Sequence, residues 1–216
     1  MSVVDRLRIS EIFYSLQGET ATVGLPTVFV RLTGCPLRCQ YCDTAYAFKG
    51  GSFYELPEIL TEVARYKTRH ITVTGGEPLA QPACLALMRA LCDLNYMVSL
   101  ETSGALPIDQ VDSRVVKVMD LKTPGSDECE RNMMQNLSHI TPQDHIKFVI
   151  CHRADYEWSK QLCDQYDLWS QCEVLFSPSY QQLDNHELAQ WILQDQLSVR
   201  FQIQQHKYIW GDRPGC

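Results

Sequence analysis

Val28-Phe29-Val30-Arg31-Leu32-Thr33-Gly34-Cys35-Pro36-Leu37-Arg38-Cys39-Gln40-Tyr41-Cys42-Asp43-Thr44 decides how the rest of this chain is read. Its β-branched and apolar start predicts a strand over 28–32, which Gly34-Cys35-Pro36 then breaks. Beyond the break, C-x3-C-x2-C spacing lets three thiols converge from one short loop. Outward from this segment, strand and helix alternate. Pro57 opens a helix with Ile59, Leu60, Val63 and Ala64 on one side, and 70–74 is a strand stopped by Gly75-Gly76. Leu85, Met88 and Leu91 recur at helical spacing, followed by strands at 96–100 and 115–119 and a helix at 130–137. Then come a strand at 146–150, a helix at 155–166 and a strand at 173–176. A helix carrying Leu188, Ala189, Ile192 and Leu193 and a strand at 199–203 complete the pattern. Short apolar strands separated by helices imply a parallel α/β sheet. Six or so such units without a glycine-rich dinucleotide fingerprint suit a small or partial (β/α) barrel.

Polar signals gather just after the strands, at Gly75-Gly76-Glu77-Pro78, Glu101-Thr102-Ser103-Gly104 and Asp120-Leu121-Lys122. A parallel α/β fold builds its site there, at the carboxyl ends of its strands. The chain has 216 residues, 45% of them hydrophobic, and a net charge of -7. One domain over 1–216 is expected, with the cysteine loop near 33–50. The acidic balance argues against a bulk surface for nucleic acid. No window reaches the roughly 18 apolar residues of a membrane span, and the first residues lack a signal-peptide core, so a cytoplasmic protein is expected. Seven further cysteines are dispersed. Cys84 and Cys92 fall in a helical pattern and are expected to pack as small hydrophobes. Cys216 shows no sign of ligand duty, and His70 and His139 read as ordinary structural or surface histidines.

Three cysteines in one loop have two chemical readings. A structural zinc site would need a fourth ligand from elsewhere. A [4Fe–4S] cluster held by three thiolates instead keeps one iron open to a small ligand. The pattern with aromatic Tyr41 before the last cysteine resembles the signature of the radical S-adenosylmethionine superfamily, and Gly75-Gly76-Glu77-Pro78 resembles its glycine-rich motif. That resemblance implies a small, modified partial barrel of the radical SAM type, in which Cys35, Cys39 and Cys42 hold a [4Fe–4S] cluster and S-adenosyl-L-methionine is the cofactor.

Across essentially the whole chain the sequence is similar to the 7-carboxy-7-deazaguanine synthase family of queuosine and deazapurine biosynthesis, a route to tRNA modification. Ser15-Leu16-Gln17-Gly18-Glu19, Pro26, Cys42-Asp43-Thr44, the run Thr72 to Pro78, Glu101 to Gly104 and Gln205-His206-Lys207-Tyr208 carry the likeness. It implies a carbon–nitrogen lyase that converts 6-carboxy-5,6,7,8-tetrahydropterin into 7-carboxy-7-deazaguanine and ammonia by radical ring contraction. It assigns the substrate to Leu16, Gln17, Gly18, Glu19, Arg31, Thr74, His206 and Lys207. Gln17 and Glu19 would read the pterin edge and Arg31 would clamp a carboxylate. Tyr41, Cys42, Asp43, Gly76, Ser103, Asp120, Leu121, Lys122, Ser177 and Pro178 are assigned to the cofactor. Thr44 is assigned to Mg2+, whose octahedron waters and substrate must complete. An electron donor such as flavodoxin or ferredoxin, and a homodimer, are further implications. The chain departs from the family at Asp120-Leu121-Lys122, where many members have Ser-Pro-Lys, and in its tail from Gly211 to Cys216. The cysteine spacing is shared with small activases that take hydrogen from a glycine on a partner protein. A zinc-stabilised interaction module without catalysis is the reading from another class.

Overall fold

Strand alternation explains the architecture. In Pro26–Leu32, Val28, Val30 and Leu32 are fully buried, while Phe29 and Arg31 line a cavity on the opposite side. Successive strand residues point to opposite faces, so every such strand offers one apolar face and one face available for chemistry. The computed structural model describes residues 6–211, 213 and 215–216. In chain order its elements are β1 (Arg6–Leu16), β2 (Pro26–Leu32), β3 (Ser52–Glu55), α1 (Leu56–Val63), β4 (His70–Gly75), α2 (Ala83–Asp93), β5 (Met97–Thr102), β6 (Val116–Asp120), β7 (His145–Ile150), α3 (Arg153–Gln165), α4 (Leu168–Gln171), β8 (Glu173–Pro178), α5 (Asn185–Gln194), β9 (Arg200–Phe201) and α6 (Gln205–Trp210). The sheet order is β3-β1-β2-β4-β5-β6-β7-β8-β9. From β2 through β4 to β9 all pairings are parallel.

The apolar face packs under the helices in two clusters. Val28, Val30, Ile71, Val73, Val98 and Leu100 meet Ile59 and Val63 of α1 and Leu87, Met88 and Leu91 of α2. Cys84 and Cys92 are buried in this cluster as small hydrophobes. Farther along, Ile146, Phe148, Val174 and Phe176 meet Tyr156 and Cys163 of α3 and Leu188 and Ile192 of α5. A capping box between Glu55 and Glu58, with proline in the first turn, sets the start of α1.

Three features were not foreseen. β1 and β3 add antiparallel strands to the parallel body. β1 escapes a periodicity reading because a register shift between Ile9 and Glu11 interrupts its alternation and much of it is only half-buried. The expected helix at 130–137 is instead two 3-10 segments, Cys129–Arg131 and Met134–His139. Asn132 there bonds the backbone N–H and C=O of Lys122, and the buried Asn136 holds Ile108, Gly104 and Leu106. Side-chain amides have taken partners that a regular helix does not offer. The last strand is shorter than expected, spanning Arg200–Phe201.

At the carboxyl ends of the strands the two sides of the sheet meet. Gln202 Nε2 donates to the Thr20 carbonyl at 2.9 Å, and the Gln205 N–H donates to the Gly18 carbonyl at 2.9 Å. The curved sheet is a partial barrel that loops and α6 help to close.

Candidate active site

A cavity of about 540 Å³ opens at the carboxyl ends of the parallel strands. Its floor follows from strand register. Arg31 of β2 pairs in register with Thr74 of β4, and the Thr74 hydroxyl donates to Glu101 Oε2 of β5 at 2.9 Å. Farther across, Asp120 of β6 is in register with Lys147 of β7. All of these side chains line the cavity.

One wall is the turn after β1. Buried Gln17 donates through Nε2 to Thr72 at 3.1 Å and to Glu101 Oε1 at 3.2 Å, and its Oε1 accepts from the Glu19 N–H. Both amide protons are thus committed inside the protein, and Gln17 braces the Glu101 carboxylate and the Glu19 backbone. Glu19 pairs with Lys147, which donates to its Oε2. Burial alone would raise the Glu19 pKa, but Lys147 and then His206 bring it below the ordinary carboxylate value. Lys147 is likewise held charged, because Glu19 and Asp120 outweigh its desolvation. Glu101 goes the other way: burial pushes it up and the Glu19 charge adds to that, with Lys147 opposing. α6 covers this wall, and a Cβ at Gly18 would stand only 2.4 Å from His206 Nδ1. Glycine is what lets the helix approach so closely. Burial lowers the His206 pKa, with Glu19 and Asp43 opposing.

Arg31 donates from Nε to Glu11 Oε1 at 2.7 Å, and Tyr46 donates to the same oxygen. Its guanidinium lies over Phe13 and Tyr46, and its Nη atoms make no hydrogen bond among the described residues. The pair with Glu11 orients the fork and leaves one edge for an anionic ligand.

The opposite wall is the cysteine loop. Cys35, Cys39 and Cys42 all line the cavity. Among the described residues, however, no group of three or more His, Cys, Asp or Glu is drawn together tightly enough to hold a metal ion. Burial keeps all three thiols protonated, with Cys39 pushed up to about 11. The Leu37 N–H donates to Cys35 Sγ at 3.4 Å, and a backbone hydrogen bond from Thr44 lowers Cys42. Thiols on one short loop with N–H···S donors fit thiolate ligation to iron, since binding releases the proton that burial retains. A second sign of fit lies beside them. The Tyr41 hydroxyl and Asp120 Oδ1 are buried without a hydrogen-bond partner among the described residues. Lys122 pairs with Asp120 Oδ2 at 3.0 Å and sits over the Tyr41 ring. Burial pushes the Tyr41 hydroxyl far up.

Most residues singled out in the sequence come together here. Leu16, Gln17, Gly18, Glu19, Arg31, Tyr41, Asp43, Thr44, Thr74, Gly76, Ser103, Asp120, Lys122, Ser177, Pro178, His206 and Lys207 all line this cavity with the three cysteines. Leu121 does not. Its side chain is fully buried in the second apolar cluster, because it falls on the opposite face from its neighbours Asp120 and Lys122. Thr44 donates to Asp43 Oδ1 at 2.7 Å and precedes a short 3-10 turn. The Asp43 carboxylate also accepts from Gln204 at 2.9 Å. Glu77 serves the fold. Fully buried, it accepts from Thr102, from the Ser103 N–H and hydroxyl, and from the Leu79 N–H. Gly76 allows two loops to touch, since a Cβ there would lie 2.0 Å from the Gly34 oxygen. Sequence reading missed Lys147, which lines the cavity, and Glu11, which holds Arg31, and it gave Glu101 a place at a strand end but no role of its own. Lys147 sits inside an apolar strand, and only its charge among neighbours such as Phe148 and Ile150 hinted at it.

The Radical SAM superfamily model matches residues 29–115. A 7-carboxy-7-deazaguanine synthase of Chlorobaculum tepidum is 43% identical over 98% of this chain and 97% of its own. This chain belongs to that family. A second member, from Koribacter versatilis, is 42% identical over 94% of this chain and 97% of its own. In fold the chain is similar to a crystal structure of QueE from Escherichia coli, with TM-score 0.77 and 22% identity over 93% of this chain and 95% of that one. As a radical SAM synthase family member the chain is an enzyme, which removes the zinc-module reading. The superfamily implies a [4Fe–4S] cluster and S-adenosyl-L-methionine. Among the described residues no helix is long and apolar enough to cross a membrane.

Proposed function

We propose that this enzyme converts 6-carboxy-5,6,7,8-tetrahydropterin into 7-carboxy-7-deazaguanine and ammonia, in queuosine biosynthesis. One observation carries the reading. The Leu16 to Glu19 turn and α6 form one wall of a cavity floored by the Arg31–Thr74–Glu101 row, and the cysteine loop forms its other wall. Cys35, Cys39 and Cys42 would hold the cluster, and the orphaned polar atoms of Tyr41 and Asp120, with Lys122, would meet the cofactor. When bound, cluster and cofactor supply one-electron chemistry that removes hydrogen from carbon. Arg31 takes the substrate carboxylate on its open edge. Glu19, held ionised, accepts from the pterin amino and ring N–H groups, and Lys147 fixes its position. The Thr44 hydroxyl, which donates to Asp43, would offer a Mg2+ one hard oxygen ligand. A small electron-transfer protein would serve as reductant, and the working form is a cytoplasmic homodimer.

The test supplies the anaerobic holoenzyme with reductant, cofactor, Mg2+ and the carboxytetrahydropterin, and detects product by mass. The deazapurine should form without a protein partner. Arg31→Ala should keep its iron yet lose at least tenfold in turnover at limiting substrate, since a charge-assisted hydrogen bond is worth roughly 1.5–3 kcal/mol. Deazapurine absent from a fully loaded enzyme that instead installs a glycyl radical on a partner would establish the activase reading.

A further inference from the structure

The reaction proposed above loses a nitrogen, and the constitution of its two ends says which one. In the substrate the carboxylate-bearing carbon and the pyrimidine are separated by N5, while in the product they are bonded directly. N5 is therefore the atom expelled as ammonia, and it starts on the same carbon as the carboxylate. A group that protonates it must stand beside the carboxylate clamp.

Glu101 stands there. Its Oε2 shares a 2.9 Å hydrogen bond with Thr74, whose register partner on the next strand is Arg31. Its Oε1 is occupied by the Gln17 amide at 3.2 Å, so a proton on this carboxyl belongs on Oε2. The Thr74 hydroxyl tolerates that, because it can turn from donor to acceptor. Two glutamates thus share the cavity in contrasting settings. Glu19 has the Lys147 ammonium as its direct partner, whereas Glu101 is held only by an amide and a hydroxyl. Adjacent carboxyls in such unequal environments divide into an ionised base and a neutral acid. The charged groups acting on Glu101 are Glu19 from the turn after β1, Lys147 from β7 and Arg31 from β2. His206 of α6 and Asp120 of β6 act one step removed, on Glu19 and Lys147.

We propose that Glu101 is the general acid for ammonia release. After ring contraction the amine on the carboxylate-bearing carbon takes the proton from Oε2. Its C–N bond breaks with both electrons going to nitrogen, and ammonia departs. The neighbouring ring carbon loses a proton, its C–H pair becomes the new ring double bond, and that proton restores the acid. The step is redox-neutral and consumes no other reactant.

This inference rests on the reaction assigned above, and Glu101→Gln tests it separately. In the parent holoenzyme, deazapurine formation with saturating substrate should fall as pH rises through the ionisation of Glu101. Glu101→Gln, with iron content and fold matched to the parent, should form product at least a hundredfold more slowly, in the range that general acids contribute. It should also lose that pH limb. It should still transfer deuterium from substrate to cofactor, and rapid quench should trap an isomer of the substrate that retains the nitrogen. Glu101→Asp should recover part of the rate and the pH limb. Product formation by Glu101→Gln at the parental rate, or loss of deuterium transfer in step with product, would overturn the assignment. A parent that makes no deazapurine would instead sink the proposed function.

Discussion

Two buried lysine–carboxylate pairs stand in one cavity and are built in opposite ways. Asp120 and Lys122 lie two residues apart at the end of β6, and their pair forms wherever that strand end forms. Glu19 and Lys147 are 128 residues apart and meet only because the sheet curls until the turn after β1 reaches β7. The local pair leaves Asp120 Oδ1 without a partner beside the cysteine loop, which suits it to a ligand. The distant pair is braced by Gln17, which fixes the Glu19 backbone, and it holds the two walls of the barrel together. Here the local pair offers a polar atom to the cavity, and the distant pair ties β7 to the turn after β1.

The largest expected effect is at Lys147. Lys147→Met should destabilise the protein by about 3–5 kcal/mol, read from the denaturant midpoint, because it strands the Glu19 charge. Adding Glu19→Gln should restore part of that stability but no product formation. Lys122→Met should cost less, about 1–3 kcal/mol, since Asp120 keeps some solvent access. Its main expected effect is weaker binding of S-adenosylmethionine, measurable by calorimetry on unreduced enzyme. Equal stability losses for the two lysines would end the distinction between a closing pair and a recognising one.

The smallest effect sharpens the contrast through pH. The folded-state pKa of Glu19 is depressed, so its contribution is present above the unfolded carboxyl value and is lost as pH falls through the folded one. The Glu101 pKa is raised, so the folded state holds its proton longer, and stability declines as pH rises from the unfolded value to the folded one. Glu101→Gln should therefore favour the folded state more at neutral pH than at pH 4, and Glu19→Gln should do the reverse. Thermal melts at the two pH values check both signs.

The parallel body of the fold was legible because its strands read as short, largely apolar runs, as in residues 146–150, where Lys147 is the one charged residue. β1 was not, since a half-buried strand with a bulge loses its period. The cysteine loop could be read because all of its donors lie in one short stretch. Arg31 and Glu19 were singled out by resemblance, and both line the cavity. Gln17 was assigned to the substrate, yet both of its amide protons turn out to brace Thr72 and Glu101. Leu121 was assigned to the cofactor together with Asp120 and Lys122, but strand pleat turns its side chain into the core.

The sequence by itself determined the α/β class, the three-cysteine loop and the strand ends where polar residues collect, because each is written within a few consecutive residues. Only the tertiary structure decided that Lys147 neutralises Glu19, that Glu101 stays beside it without a cation of its own, and that Gly18 admits α6. The reason is physical. A carboxyl's charge state depends on desolvation and on charges within a few ångströms, and here those charges come from strands far apart in the chain.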